Sequence, residues 1–288
     1  MSARFTAACL QITAGPEIGP NVERATALIR EARNRGADFI ALPENATMIE
    51  PDPDAALHKA LPEPEHPGLA GFRALAGETG AWILIGSLSI RDPGSDKIAN
   101  RSFLIDASGG IVARYDKIHL FDVNLREDEW YRESDNVRPG AQAVIAPSPW
   151  GLMGLTICYD LRFPQLYREI AHAGASLITI PAAFTRTTGR AHWHILVRAR
   201  AIETGCFVFA PAQCGEHAQG RQTYGHSLIV DPWGEVLADG GEEEGIILAE
   251  IDIDLVAKAR ARVPSLDHDR DFTKPGPATL DGLVADGG

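Results

Sequence analysis

Nowhere in these 288 residues do about 18 apolar side chains follow one another, so the sequence encodes no helix suited to crossing a bilayer. Positive charge is also in deficit. Lys and Arg number 27 against 39 Asp and Glu, the net charge is −12, and no basic stripe interrupts that balance. Such a field argues against a nucleic-acid partner, and the missing apolar run against a membrane partner. Cysteine is scarce: Cys9, Cys158, Cys206 and Cys214 are too few and too scattered for a disulfide framework, and no Cys-x-x-Cys pair marks a zinc site. Reduced thiols are expected, with no metal and no cofactor. The start, Met1-Ser2-Ala3-Arg4-Phe5, runs straight into a strand-like segment without the apolar region of a signal peptide, which predicts a cytoplasmic protein. What is present, 45% hydrophobic and 23% charged residues, is the composition of a globular chain able to bury a sizeable core.

The chain divides into two halves built to one plan. Phe5 to Ile12 reads as a strand, and Asn21 is placed to cap a helix to about Arg35 with Ala25, Leu28, Ile29 and Ala32 on one face. Asp38 to Pro43 is a short buried strand that delivers Glu44 at its end. Pro51 to Pro67 reads as a loop, Leu69 to Glu78 as a helix, Trp82 to Ile90 as a strand, and Ser102 to Tyr115 as a hairpin about Gly109-Gly110. The second half echoes this: Gly174-Ala175-Ser176-Leu177-Ile178-Thr179-Ile180-Pro181 repeats the pattern of Gly36 to Pro43, and Ser227 to Asp231 with Gly234 repeats Ser102 to Asp106 with Gly109. A helix is expected over Arg190 to Thr204 and a strand over Cys206 to Ala210. Strands apolar on both faces must be covered on both sides, so two such sheets with outer helices predict an α/β fold. It is a four-layer α-β-β-α sandwich with two pseudo-symmetric sheets. One domain over residues 1–272 and a Pro/Gly-rich tail over 273–288 follow. Lys117 to Pro139 has no clear period and is too long for a mere connector, so it is expected to line or cover a site.

Chemistry concentrates at Gly154-Leu155-Thr156-Ile157-Cys158-Tyr159-Asp160-Leu161-Arg162-Phe163-Pro164. A buried strand ends at Cys158, and Pro164 marks the first turn of a helix. N–H groups and a helix dipole at such a point favour an anionic sulfur and can hold an oxyanion. A thiolate attacking an amide also needs a proton acceptor and a cation, and Glu44 and Lys117 follow strand ends where ligands of α/β sheets gather. Each residue alone has an ordinary reading: packing for Cys158, a turn for Glu44, the surface for Lys117.

Leu42-Pro43-Glu44-Asn45, Tyr115-Asp116-Lys117-Ile118-His119-Leu120-Phe121-Asp122 and Cys158 to Pro164 resemble, in that order, the three signature stretches of the nitrilase superfamily of carbon–nitrogen hydrolases. The resemblance runs from Ala8 to about Arg270. It implies Glu44 as general base, Lys117 as oxyanion stabiliser together with the Tyr159 N–H, Cys158 as nucleophile and Glu133 as a second glutamate. It also implies the α-β-β-α sandwich and a homodimer. Ala191-His192-Trp193-His194, Arg198 to Thr204, Ala212-Gln213-Cys214-Gly215 and Asp231-Pro232-Trp233-Gly234 look like the branch containing deaminated glutathione amidase and ω-amidase, and the last two pieces favour the glutathione-related member. The implied reaction is hydrolysis of a small carboxylate-bearing amide to acid and ammonia through a thioester. Deaminated glutathione, 2-oxoglutaramate and N-carbamoyl amino acids are the substrates in decreasing order. Arg162 is read as a carboxylate anchor or as an ion-pair partner of Asp160, and Phe184, Thr185 and Arg186 as further substrate contacts. The chain departs from the family pattern at Arg126-Glu127 and at His268-Asp269-Arg270.

Three other readings compete. A papain-like pair would use His119, which lacks the Cys-Gly-x-Cys context. A metal protein would use His192, His194 and Cys206 or Cys214, although residues two apart on a helix face different ways. An inactive scaffold would not need competent residue types at all three catalytic positions.

Overall fold

β1 (Arg4–Gln11) sets the layering, because it is apolar on both faces. Ala7 and Cys9 point into the core shared with the second half of the chain, whereas Ala8 and Leu10 point to α1 (Ile18–Asn34) and α3 (Pro67–Thr79). The structure is a computed structural model, and it describes residues 4–126 and 129–273. The first half continues with β2 (Phe39–Ala41), α2 (Pro53–Lys59), β3 (Trp82–Arg91), β4 (Ile98–Ile105) and β5 (Ile111–Asp116). A middle segment holds β6 (Asp122–Arg126), β7 (Glu129–Arg132) and β8 (Val137–Arg138). The second half comprises β9 (Val144–Ser148), β10 (Gly151–Leu155), α4 (Pro164–His172), β11 (Leu177–Thr179), α5 (Arg186–Thr204) and β12 (Phe207–Ala210). It ends with β13 (Cys214–Glu216), β14 (Gln222–Tyr224), β15 (Leu228–Val230), β16 (Val236–Asp239), β17 (Gly245–Asp252) and α6 (Asp254–Arg262).

The two sheets have matching strand orders, β17-β1-β2-β3-β4-β5 with β8 beside β4, and β9-β10-β11-β12-β15-β16. Each has three parallel central strands, an antiparallel strand on one flank and an antiparallel pair on the other. The echoed segments, containing β2 and β11, occupy equivalent places, as the pseudo-symmetric reading expects. Aromatic side chains from the two halves fill the space between the sheets. Phe5 stacks on Trp150 with centroids 4.1 Å apart, and Phe39 meets Phe209 at 5.2 Å. With α1 and α3 outside one sheet and α4 and α5 outside the other, the fold is the expected four-layer α/β sandwich.

Several local expectations are corrected. Asn21 lies inside α1, whose N-cap is Glu17; its buried amide instead joins Gly15 to the Thr47 carbonyl. The loop expected over Pro51 to Pro67 contains α2, capped by Asp52, because Pro53 at the first helical position suits a helix start as well as a loop. α5 starts four residues before Arg190, with the Thr185 side chain accepting from the Thr188 N–H. The segment without a clear period forms the β6–β7 hairpin, which pairs mostly with itself. From residue 274 onward the tail lies outside the described residues, as does Glu127. Asp269 binds Arg168 and His172 on α4, so this departure from the family pattern fastens the C-terminal segment.

Gly86, in β3, is where backbone closeness matters most to the site. A Cβ there would fall 2.1 Å from the Leu42 carbonyl oxygen and 2.3 Å from that of Pro43, the two residues before Glu44. Backbone cannot yield as a side-chain tip can. Gly86→Ala is therefore expected to cost about 3 kcal/mol and to lower kcat by displacing Glu44. Denaturant titration and steady-state rates check this, and an unchanged midpoint with an unchanged kcat would contradict the packing argument.

Candidate active site

Four strand ends converge between the sheets. Glu44 follows β2, Lys117 follows β5, Cys158 follows β10, and Ala183 follows β11. Glu44, Lys117 and Cys158 are only 3%, 2% and 6% exposed. Lys117 Nζ donates to Glu44 Oε1 at 2.8 Å and to Glu133 Oε2 at 2.9 Å. Glu44 Oε2 accepts from the Ala183 N–H at 2.8 Å, a bond that crosses from one sheet to the other. The Cys158 thiol lines the same cavity as the Glu44 carboxylate, whose charge acts on it. Glu133, at the end of the β6–β7 hairpin, also accepts from the Phe121 N–H at 2.7 Å, which fixes its carboxylate against Lys117. Glu44, Lys117, Cys158 and Glu133 are thus brought together from four separate stretches of chain.

Electrostatics assigns a protonation state to each. Burial pushes the Glu44 carboxyl up, but the Lys117 ammonium and the bonds from Lys117, Cys158 and Ala183 outweigh it and hold the group below its ordinary 4.5. Burial pushes Lys117 down, and the charges of Glu133 and Glu44 more than reverse this, so the ammonium persists well above 10.5. Cys158 is raised well above 9.0, first by burial and then by the Glu44 charge, against which Lys117 is insufficient. The expectation of a resting anionic sulfur is therefore corrected. Cys158 is a thiol beside a carboxylate that can take its proton. The α-helix amino terminus lies too far along the chain to change this: a 3-10 turn, Cys158–Arg162, comes first, and α4 begins at Pro164.

That turn gives the sulfur its orientation. Cys158 has φ 47, in the left-handed region that costs a non-glycine residue about 1 kcal/mol or more. Its N–H donates to the Pro181 carbonyl at 2.9 Å, and the Asp160 N–H donates to Ile157 at 3.0 Å. Among the described residues the intervening Tyr159 N–H has no protein acceptor. The fully buried Asp160 carboxylate holds the turn. It accepts from Tyr115 Oη (2.7 Å), the Ile157 N–H (2.8 Å) and the His119 N–H (3.0 Å), tying the Lys117 strand end to the Cys158 turn. His119 Nδ1 also meets Asp160, at 2.7 Å, and its ring stacks on Phe163, so this histidine belongs to the scaffold rather than to a Cys–His pair.

A cavity of about 430 Å³ opens over Glu44, Lys117, Glu133 and Cys158, and Phe184 and Thr185 also line it. Arg162 and Arg186 are not among its walls. Arg162 lies over the rings of Tyr159 and Phe184, with Nη1 3.3 Å from His192 Nδ1; it does not reach Asp160. Arg186 pairs with Glu242 at the surface. The suggested metal ligands also separate: His192 meets Arg162, Cys206 is buried beside Arg260, and Cys214 meets Thr13. Among the described residues the group whose donor atoms lie within 4.8 Å of one another is His194, His226 and Asp239, and there each histidine is already bonded to the aspartate. Sequence reasoning passed over Asn100, whose amide donates to Glu44 Oε1 at 2.9 Å and to Glu133 Oε1 at 3.2 Å. A polar residue between Ala99 and Arg101 in a strand was its sole signal.

Residues 6–261 match the family model described as carbon-nitrogen hydrolase. The chain belongs to the carbon–nitrogen hydrolase family. It is 40% identical over 272 residues to the deaminated glutathione amidase of Synechocystis sp., covering 92% of this chain and 97% of that protein. The NitFhit protein of C. elegans superposes with a TM-score of 0.87 at 36% identity, over 93% of this chain and 65% of that one. Saccharomyces cerevisiae Nit3, a member of branch 10 of the nitrilase superfamily, gives 0.83 at 29% identity over 92% of this chain and 96% of that chain. As a carbon–nitrogen hydrolase the protein is an amidase of the nitrilase superfamily, acting on a small-molecule amide, and in its structure no helix among the described residues is long and apolar enough to cross a membrane.

Proposed function

We propose that the amidase hydrolyses deaminated glutathione or a closely similar 2-oxo acid amide through a thioester on Cys158. The observation that carries this reading is that a buried thiol lines the same cavity as a bonded carboxylate and ammonium pair; the substrate is suggested by the similarity to deaminated glutathione amidases. Glu44 takes the thiol proton as Sγ bonds to the amide carbon. Lys117 Nζ has three protons, and Glu44 and Glu133 engage two directions, which leaves one for the oxyanion beside the Tyr159 N–H. Collapse breaks the C–N bond, with Glu44 returning its proton to the leaving nitrogen. Water then enters, Glu44 takes a proton from it, and hydroxide attack on the thioester releases the acid and restores the thiol. Glu133 keeps Lys117 charged and oriented.

The leaving group corrects one expectation. The scissile amide of deaminated glutathione joins a 2-oxo acyl group to the cysteine nitrogen, so hydrolysis frees cysteinylglycine and 2-oxoglutarate. Ammonia would come only from a primary amide such as 2-oxoglutaramate. Chromatography of both products from both compounds tests the assignment: faster release from deaminated glutathione is expected, and equal slow rates on both would refute the glutathione preference. Residues 1–272 act as one hydrolase unit in this reading, and the chain works as a cytoplasmic homodimer. Exposed Ile195 and Ile202 on α5, with Trp233 and Leu237 near the β15–β16 turn, supply an apolar face for that pairing. A sedimentation mass of one 31.0 kDa chain, or fractionation with membranes, would refute this part.

A further inference from the structure

The positively charged residues lining the cavity are Lys117, Arg132 and Arg221. Lys117 is held by Glu44 and Glu133. Arg132 spends its donors on the Val123 and Tyr131 carbonyls and on Asn124 Oδ1. Arg221 is different: among the described residues its buried Nε has no hydrogen-bond partner and no carboxylate pairs with its guanidinium. A guanidinium without a carboxylate partner on the wall of a cavity is suited to an anionic ligand.

The position is built rather than incidental. Arg221 follows a 3-10 turn, Ala218–Gly220, between β13 and β14, and its carbonyl accepts from the His217 N–H at 2.7 Å. The buried His217 ring bonds to the Ala14 carbonyl at 2.9 Å and to Thr223 Oγ1 at 2.7 Å, which anchors this hairpin to the first half of the chain. Across the cavity, the Arg221 guanidinium lies 5.8 Å from the Tyr131 ring of the β6–β7 hairpin. The guanidinium thus stands beside an aromatic ring, and the Arg221 side chain forms part of the cavity wall.

We propose that Arg221, whose guanidinium has no carboxylate partner among the described residues, anchors the carboxylate of the amide substrate through its N–H groups. This takes the role that the sequence suggested for Arg162 or Arg186, neither of which lines the cavity, and it rests on the amidase reading above. Arg221 is a binding residue: it holds the substrate's end while Cys158 and Glu44 act on the amide.

The test measures KM and kcat for the full-length enzyme and for Arg221→Lys and Arg221→Ala. The substrates are deaminated glutathione, its glycinamide analogue, which lacks the dipeptide carboxylate, and 2-oxoglutaramate, which has only the acyl-side carboxylate. Arg221→Ala is expected to raise KM about 10- to 100-fold with kcat within about threefold, Arg221→Lys to raise it less, and added guanidinium to restore part of the loss. If the rise is absent with the glycinamide analogue, the anchored group is the dipeptide carboxylate; if it persists there and with 2-oxoglutaramate, it is the acyl-side one. Either result supports the anchor. Unchanged KM on all three substrates, or a loss of kcat alone, would overturn it while leaving the amidase assignment standing. A wild-type enzyme inert towards all three would overturn both.

Discussion

Cys158→Ala is expected to lower kcat on the order of 10⁴-fold or more, because removal of the proposed nucleophile leaves only binding and oxyanion stabilisation to act on water. The substitution removes one sulfur from a site whose backbone is fixed by Asp160 and by the Cys158 N–H bond to Pro181, so the fold is expected to survive. Intact mass spectrometry with a slow amide should show one acyl group on the wild-type chain and none on the variant. Cys9, Cys206 and Cys214 are buried free thiols as well, so digestion must place the group on Cys158. Full turnover by the variant, or an adduct on another cysteine, would remove the thioester from the mechanism.

Glu44→Gln is the second large effect. The amide keeps an oxygen for Lys117 or for the Ala183 N–H, and Lys117 retains Glu133, so burial of the ammonium remains compensated. What disappears is the proposed base: kcat is expected to fall about 10²- to 10⁴-fold. The pH profile should change in a specific way. In the wild type Glu44 titrates below its ordinary 4.5, while Cys158 stays a thiol and Lys117 stays charged well into the alkaline range. Activity should therefore be level from about pH 5 to pH 9 and fall only on the acid side. That acid limb should vanish from the residual rate of Glu44→Gln. The same lowered carboxyl stabilises the fold above its unfolded value and ceases to do so as the pH falls through its folded value. A wild-type profile rising towards pH 9 like a thiol titration would show that the sulfur ionises before substrate arrives.

Two kinds of feature were not legible in the local sequence, for different physical reasons. Asn21 and the start of α5 were misplaced because a capping residue type marks a boundary only to within a turn; the chain used Glu17 and Thr185 where Asn21 and a residue near Arg190 were equally acceptable locally. The positions of the arginines relative to the cavity were hidden for a deeper reason. Arg162 is four residues from Cys158 in the chain, yet the 3-10 turn directs it over the Tyr159 and Phe184 rings, whereas Arg221 reaches the cavity from a distant hairpin. Asp160 looked like a partner for Arg162 and instead clamps Tyr115, Ile157 and His119.

Local sequence alone determined the sandwich, because strands apolar on both faces with helices between them have few other ways to leave water, and the repeated strand-to-proline segments fixed its two-fold plan. Three motifs in their order, through the family they resemble, pointed to Glu44, Lys117, Glu133 and Cys158, which the fold brings together. Which side chains share a cavity, and whether the sulfur rests as thiol or thiolate, depended on the balance between burial and charges arriving from both sheets. That balance is a property of distance and dielectric, and neither exists until the chain has folded.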